Sequence, residues 1–136
     1  MELSFLGSIA AGFPSPAADW QARRLDIRDL LIPHPTTTYF ARVSGYSMRG
    51  VCIGDGDIVV IDRAITATNE SIIVAVLGET FTIKRLLRTK KRTLLIAENA
   101  GFPPIDVTGR TDFEIWGVVT FVIHPQIALP PRRGKP

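Results

Sequence analysis

The alternation of apolar and polar residues is weak at the start of the chain and becomes regular only beyond its first quarter. Residues 1–15 are rich in small residues and glycine without a clear period, which predicts an extended, mobile N-terminal arm. Residues 16–24 predict a short helix, because Ser15 is a favourable N-cap and Pro16 suits a first helical turn. Residues 25–32 are amphipathic, but the type of element that they form stays open.

Six later segments are rich in β-branched and aromatic residues, or are apolar runs bounded by turn residues, as strands are. The predicted strands are residues 37–43, 57–62, 71–77, 80–87, 91–97 and 113–123. The Gly78-Glu79 pair joins two of them into a hairpin. Short strands separated by turns predict a mainly β protein, a compact β-barrel or sandwich of one domain over residues 16–125. Residues 126–136, rich in proline, are predicted to form a disordered tail.

The composition is that of one folded domain in a reducing compartment. Hydrophobic residues make up 46% of the 136 residues, which is enough for a core. Cys52 is the only cysteine, so no disulfide can form within the chain. No apolar run approaches the roughly 18 residues of a membrane span, and the start lacks the basic region of a signal peptide. We therefore expect a cytoplasmic protein without a membrane partner.

Ser47 and Lys84 are the candidate catalytic residues. Ser47 follows Gly45, which lets the backbone turn sharply, and Lys84 lies among apolar residues of a predicted strand. A serine beside an uncharged lysine can act as nucleophile and base, the Ser-Lys variant of the hydrolytic triad, and burial favours the uncharged amine. The backbone N–H groups of Tyr46 and Ser47 are the predicted oxyanion donors. From these residues alone, an ordinary turn and a surface lysine remain the simpler interpretation.

Several motifs occur along the chain in an order that resembles a known family. The motif residues are 11–19, 30–32, 38–40, 44–48, 54–57, 62–67, 81–84 and 117–119. Together they resemble the UmuD-like SOS mutagenesis proteins, which belong to the LexA-like self-cleaving serine peptidases. The resemblance extends from residue 5 to residue 124, nearly the whole chain. It implies a LexA/signal-peptidase-like fold.

The resemblance implies a role for each matching position. Ser47 corresponds to the nucleophile, Lys84 to the general base, and Ala11-Gly12 to the bond that is cut, so that residues 1–11 are released. Two positions depart from the UmuD-like pattern. Ala-Gly stands where Cys-Gly is typical, and Tyr46 stands where a small acidic residue is expected. We expect the first to alter the rate of cleavage and the second to alter docking of the arm or oxyanion geometry.

The resemblance also implies a cellular setting, the DNA-damage (SOS) response. In the family, a RecA–single-strand DNA filament favours the cleavage-competent state. The shortened homodimer then acts as the accessory subunit of a UmuC-like error-prone DNA polymerase during translesion synthesis. Two alternatives stay open: a non-catalytic dimeric LexA-fold binding module or repressor fragment, and a signal peptidase, which would normally carry a membrane anchor.

Other residues suggest chemistry less specifically. His34, His124 and Cys52 lack partners at metal-ligand spacing, so no metal or other cofactor is expected. The Gly54–Asp57 turn lacks the rest of a calcium-binding loop. The basic residues within 85–92 surround a hairpin tip and form a solvated face by default, with contact to DNA or to an acidic partner as the alternative.

Overall fold

The computed structural model describes residues 2–5, 7–13 and 23–128, which belong to two compact units. The units divide the chain into residues 1–35 and 36–136. None of the helices in the described part is long and apolar enough to cross a bilayer.

The first unit is a two-stranded antiparallel sheet followed by a short helix. Strand β1 (Glu2–Phe5) pairs with β2 (Arg23–Asp26), and helix α1 (Ile27–Leu31) follows directly. The helix begins where the Asp26 side chain accepts a hydrogen bond from the Arg28 N–H at 2.9 Å, as an N-cap does. The predicted extended arm is therefore a strand over residues 2–5. The helix predicted over residues 16–24 is wrong at its last two positions, and its other residues lie outside the described part.

The second unit is a seven-stranded antiparallel sheet, which confirms the mainly β prediction. Its strands are β3 (Thr38–Arg42), β4 (Ile58–Asp62), β5 (Ile72–Leu77), β6 (Thr80–Arg88), β7 (Thr93–Ile96), β8 (Ile105–Asp106) and β9 (Phe113–Ile123). They are hydrogen-bonded in the order β3-β4-β9-β5-β6-β7-β8. Two 3₁₀ helices occur at Pro35–Thr37 and Arg49–Val51. Each of the six predicted strands is present, and β8 is the addition.

Apolar side chains pack on both faces of the central strands. Ile72 and Val74 of β5 join one cluster, whereas Ile73 and Ala75 join another. The first cluster also contains Val43 and the residues Met48, Ile53, Val59 and Ile61. The second contains Leu86, Leu95, Val107 and Val118. Because successive side chains of a strand point to opposite faces, a strand covered on both sides needs the unbroken apolar sequence that β5 has.

Strand β9 bulges where it passes between β4 and β5. The register with β5 shifts between Val74 and Ala75, which leaves Trp116 without an opposing residue. Next to it, Gly117 packs so close to β4 that an added Cβ would lie 2.6 Å from Ile61 Cγ2. The bulge therefore depends on a residue without a side chain.

Candidate active site

Ser47 lies in a loop that a neighbouring turn holds in place. The Val43 N–H donates to the Asp57 carbonyl and the Gly56 N–H donates to the Val43 carbonyl, both at 2.8 Å. The Gly45 N–H donates to the Asp55 carboxylate, also at 2.8 Å. Gly45 has φ +94°, a conformation that side chains disfavour, so the sharp backbone turn expected before Ser47 is present. These bonds limit the freedom of the loop that carries the serine.

The Asp57 side chain reinforces this turn from inside the protein. It is 1% exposed, accepts a hydrogen bond from the Gly54 N–H at 2.8 Å and contacts the His124 ring. Burial by itself raises the pKa of the Asp57 carboxyl, but the Gly54 and His124 hydrogen bonds outweigh burial and hold it below its ordinary value of 3.8. His124 therefore contacts a structural carboxylate.

Contacts with the loop after β7 hold the backbone on both sides of Ser47. The Tyr46 carbonyl accepts hydrogen bonds from Asn99 Nδ2 at 2.9 Å and from the Arg49 N–H at 3.2 Å. The Gly50 N–H donates to the Glu98 carbonyl. Within the described residues, the N–H groups of Tyr46 and Ser47 donate no hydrogen bond. Two adjacent donors beside a hydroxyl are thus left available.

Lys84 projects from β6, and its side-chain nitrogen reaches the serine. Nζ lies 3.1 Å from Ser47 Oγ, 2.7 Å from Thr82 Oγ1 and 3.1 Å from the Ile83 carbonyl oxygen. The residue is only 8% exposed. Burial lowers the pKa of the Lys84 amine below its ordinary value of 10.5, because removal from water disfavours the charged form.

An apolar cleft of about 390 Å³ opens beside the serine. One wall contains an aromatic cluster of Tyr39, Phe81 and Trp116. The Trp116 ring packs edge to face with both others, its centroid 4.9 Å from that of Tyr39 and 5.7 Å from that of Phe81. Arg63 contacts Trp116 in two ways. Its Nε donates to the Trp116 carbonyl at 2.8 Å, and its guanidinium lies 4.6 Å from the centre of the Trp116 ring. The cleft is therefore an apolar surface with the serine hydroxyl on its lining.

The predicted scissile bond belongs to the first unit. Ala11 and Gly12 lie in an exposed bend over residues 11–13. Two large apolar side chains near the bond are open to solvent, Ile9 at 77% and Phe13 at 94% exposure. The segment around the bond therefore presents apolar side chains that no described contact covers.

The remaining candidates of the sequence analysis take no part in this arrangement. Cys52 is exposed and His34 is exposed, and no group of three or more His, Cys, Asp or Glu side chains in the described residues could hold a metal ion. Sequence reasoning missed the contacts of Asn99 and Asp55 with the loop that carries Ser47. Thr82 had a signal, because strand alternation places it on the same face as Lys84.

The sequence matches the family model described as Peptidase S24-like over residues 4–120. It is 44% identical over 124 residues to Protein MucA of Salmonella typhimurium, which covers 89% of this chain and 84% of that protein. It is 37% identical over 120 residues to Protein ImpA of the same organism, covering 88% of this chain and 81% of ImpA. The LexA repressor of Bordetella petrii is 38% identical over 124 residues, which is 91% of this chain but 55% of the repressor.

Proposed function

Because the chain belongs to the Peptidase S24-like family, we propose that it is a self-cleaving serine peptidase with Ser47 as nucleophile and Lys84 as general base. The observation that carries this proposal is the position of Lys84 Nζ, 3.1 Å from Ser47 Oγ, on a side chain that is 8% exposed. A candidate base must lie within hydrogen-bonding reach of the proton that it removes, and Lys84 does.

The three partners of Nζ can be satisfied by an uncharged amine as well as by an ammonium. A neutral amine has two N–H donors and one lone pair, whereas an ammonium has three donors and no acceptor. The Ile83 carbonyl oxygen can only accept, and the Thr82 hydroxyl can accept as well. With two N–H groups directed to these atoms, the lone pair is left for the Ser47 hydroxyl proton. This arrangement supports the role of base.

The reaction proceeds through an acyl-enzyme. Ser47 Oγ attacks the carbonyl carbon of Ala11 while its proton moves to Lys84 Nζ, and the backbone N–H groups of Tyr46 and Ser47 stabilise the oxyanion. The bond between Ala11 and Gly12 then breaks, and Lys84 returns its proton to the departing Gly12 nitrogen. Water then attacks the ester on Ser47, Lys84 accepts the proton of that water, and it returns this proton to Ser47 Oγ as the ester bond breaks. The products are residues 1–11 and 12–136.

The substrate is a segment of the same chain, or of a second copy, that enters the apolar cleft. Ala11 and Gly12 carry almost no side-chain bulk, so the carbonyl can approach the loop of Ser47 closely. The exposed Ile9 and Phe13 side chains provide the apolar area that the cleft can bury on either side of the bond. A tethered substrate is present at high effective concentration, so little intrinsic affinity is needed.

The cellular role that we propose follows from the UmuD-like relatives. The chain acts in the DNA-damage (SOS) response, where a RecA–single-strand DNA filament stabilises the cleavage-competent state. The shortened homodimer then serves as the accessory subunit of a UmuC-like error-prone DNA polymerase. The 44% identity to Protein MucA and 37% identity to Protein ImpA over most of the chain support this role.

Incubation of the purified chain at pH 7 and pH 10, followed by mass spectrometry, tests the proposal. Wild type is expected to yield a 12–136 fragment at pH 10, where more of the Lys84 amine is uncharged than at pH 7. Ser47→Ala and Lys84→Ala are expected to stay intact, with rates at least about 10⁴-fold lower, while Cys52→Ala behaves as wild type. Equal cutting of Ser47→Ala would point to a contaminating protease, and an intact wild-type chain would contradict the proposal.

A further inference from the structure

We propose that the tip of the β6–β7 hairpin binds the phosphate backbone of duplex DNA. The tip consists of residues 88–92 and carries four cations, Arg88, Lys90, Lys91 and Arg92, within five consecutive positions. All four are exposed. This surface is separate from Ser47 and Lys84, and the inference does not depend on self-cleavage.

The four cations of the tip outnumber the net positive charge of the chain. The sequence has 16 basic and 13 acidic residues, a formal net charge of +3. Without the four cations of the tip, twelve basic residues would face thirteen acidic ones, and the net charge would be −1. Four cations within five consecutive positions concentrate positive potential at the tip, which attracts polyanions.

The cations of the tip are only slightly neutralised. In the described part of the chain, Arg88, Lys90 and Lys91 form no ion pair with a carboxylate. Arg92 has one carboxylate partner, because its Nε lies 3.8 Å from Asp106 Oδ2. Both side chains of this pair are well exposed, Arg92 at 67% and Asp106 at 47%. An exposed ion pair of this length is weak. Three to four charges are therefore available to an outside ligand.

The backbone of the tip is ordered by hydrogen bonds of its own. The Thr89 N–H donates to the Arg92 carbonyl at 2.9 Å, and the Thr89 hydroxyl oxygen accepts from the Arg92 N–H at 3.0 Å. On the other side, the Arg88 N–H donates to Asn69 Oδ1 at 2.8 Å. The cations thus extend from a closed turn, which reduces the backbone entropy that binding would otherwise cost.

The composition of the tip favours DNA over a protein partner, and duplex over single-stranded DNA. Protein interfaces depend on a few buried anchor residues, among which Trp and Tyr are prominent, and residues 88–92 contain no aromatic residue. Binding to single strands depends on aromatic side chains that stack with bases, which the tip also lacks. Cations and hydroxyls alone suit phosphate oxygens, and a duplex presents these at the highest density.

Fluorescence anisotropy of a labelled 20-base-pair duplex, titrated with the full chain over a series of salt concentrations, tests the inference. Three to four phosphate contacts predict a slope of log K against log salt of about −3, so that a fourfold rise in salt weakens binding about 60-fold. Lys90→Gln/Lys91→Gln should make the slope shallower by about two. Arg28→Gln/Arg110→Gln removes the same charge elsewhere and should leave the slope unchanged.

Equal loss in both double variants would overturn the inference, since it would reflect net charge alone. Two further ligands distinguish the other sources of negative charge. A single-stranded oligonucleotide with the same number of phosphates should bind more weakly than the duplex, and so should polyglutamate of matched charge. Tighter binding of either ligand would contradict the choice of duplex DNA. Matching melting curves of the two variants would show that both are folded.

Discussion

Lys84 Nζ lies closer to Thr82 Oγ1, at 2.7 Å, than to Ser47 Oγ, at 3.1 Å. Both Thr82 and Lys84 belong to β6, two residues apart, so the strand itself determines this contact. The serine reaches the same amine from a separate loop. The strand that carries the amine thus also orients it, independently of Ser47, and we propose that Thr82 positions the amine.

Self-cleavage should rise with pH and then level off. Burial in the folded chain lowers the pKa of Lys84 below 10.5. The uncharged form of Lys84 therefore becomes dominant at a lower pH than the uncharged form of a solvent-exposed lysine does. The rate of appearance of the 12–136 fragment, followed by mass spectrometry between pH 6 and pH 11, checks this. Lys84→Arg keeps its positive charge throughout and should show no cleavage at any pH. A pH-independent wild-type rate would contradict Lys84 as the base.

Thr82→Val should slow cleavage without abolishing it. The substitution keeps the shape of the side chain and removes one hydrogen bond, which is worth about 1 kcal/mol or roughly fivefold in rate. The loss should persist at the high-pH plateau, because the amine is less well oriented even when it is uncharged. Thr111→Val is a matched control on an exposed residue. A plateau rate equal to wild type would show that Thr82 does not position the amine.

Stability should increase with pH through the titration of Lys84. Its pKa is lower in the folded chain than in the unfolded chain, so the unfolded state binds more protons between the two values. The free energy of unfolding therefore rises as the pH climbs through that window, and below the window the cost of the buried cation is constant. Lys84→Met lacks this group and should lose that part of the rise. Urea denaturation at a series of pH values, with Lys90→Met as the exposed control, measures the difference.

Gly117→Ala should destabilise the sheet by about 1–3 kcal/mol, because the new methyl group would overlap Ile61 in a packed core. Thermal unfolding should show a fall of several degrees in Tm. Gly101→Ala is the control, since its added Cβ would meet nothing closer than Asn99 Oδ1 at 3.8 Å. A Tm equal to that of the control would show that β4 and β9 can separate at the bulge without cost.

The elements that the sequence predicted well are those whose own residues carry the signal. Strand β9 was predicted over residues 113–123 and is observed there, because a long run of apolar and β-branched residues indicates a strand without help from neighbours. Strand β8 has two residues and exists only through pairing with β7. Residues 23 and 24 are helical by their local cues, yet pairing with β1 makes them a strand.

The sequence by itself determined which residue types are available: a serine after a glycine turn, a lysine in an apolar strand, and a small-residue bond near the start. Only the tertiary structure decided that Lys84 meets Ser47, because these residues lie 37 positions apart and are brought together by the packing of a loop on a sheet. The supporting contacts of Asp55 and Asn99 were decided there as well. The Asp55 and Asn99 side chains bond to the backbone of Gly45 and Tyr46, which are distant from them in the sequence. The periodicity of a short segment cannot indicate such contacts.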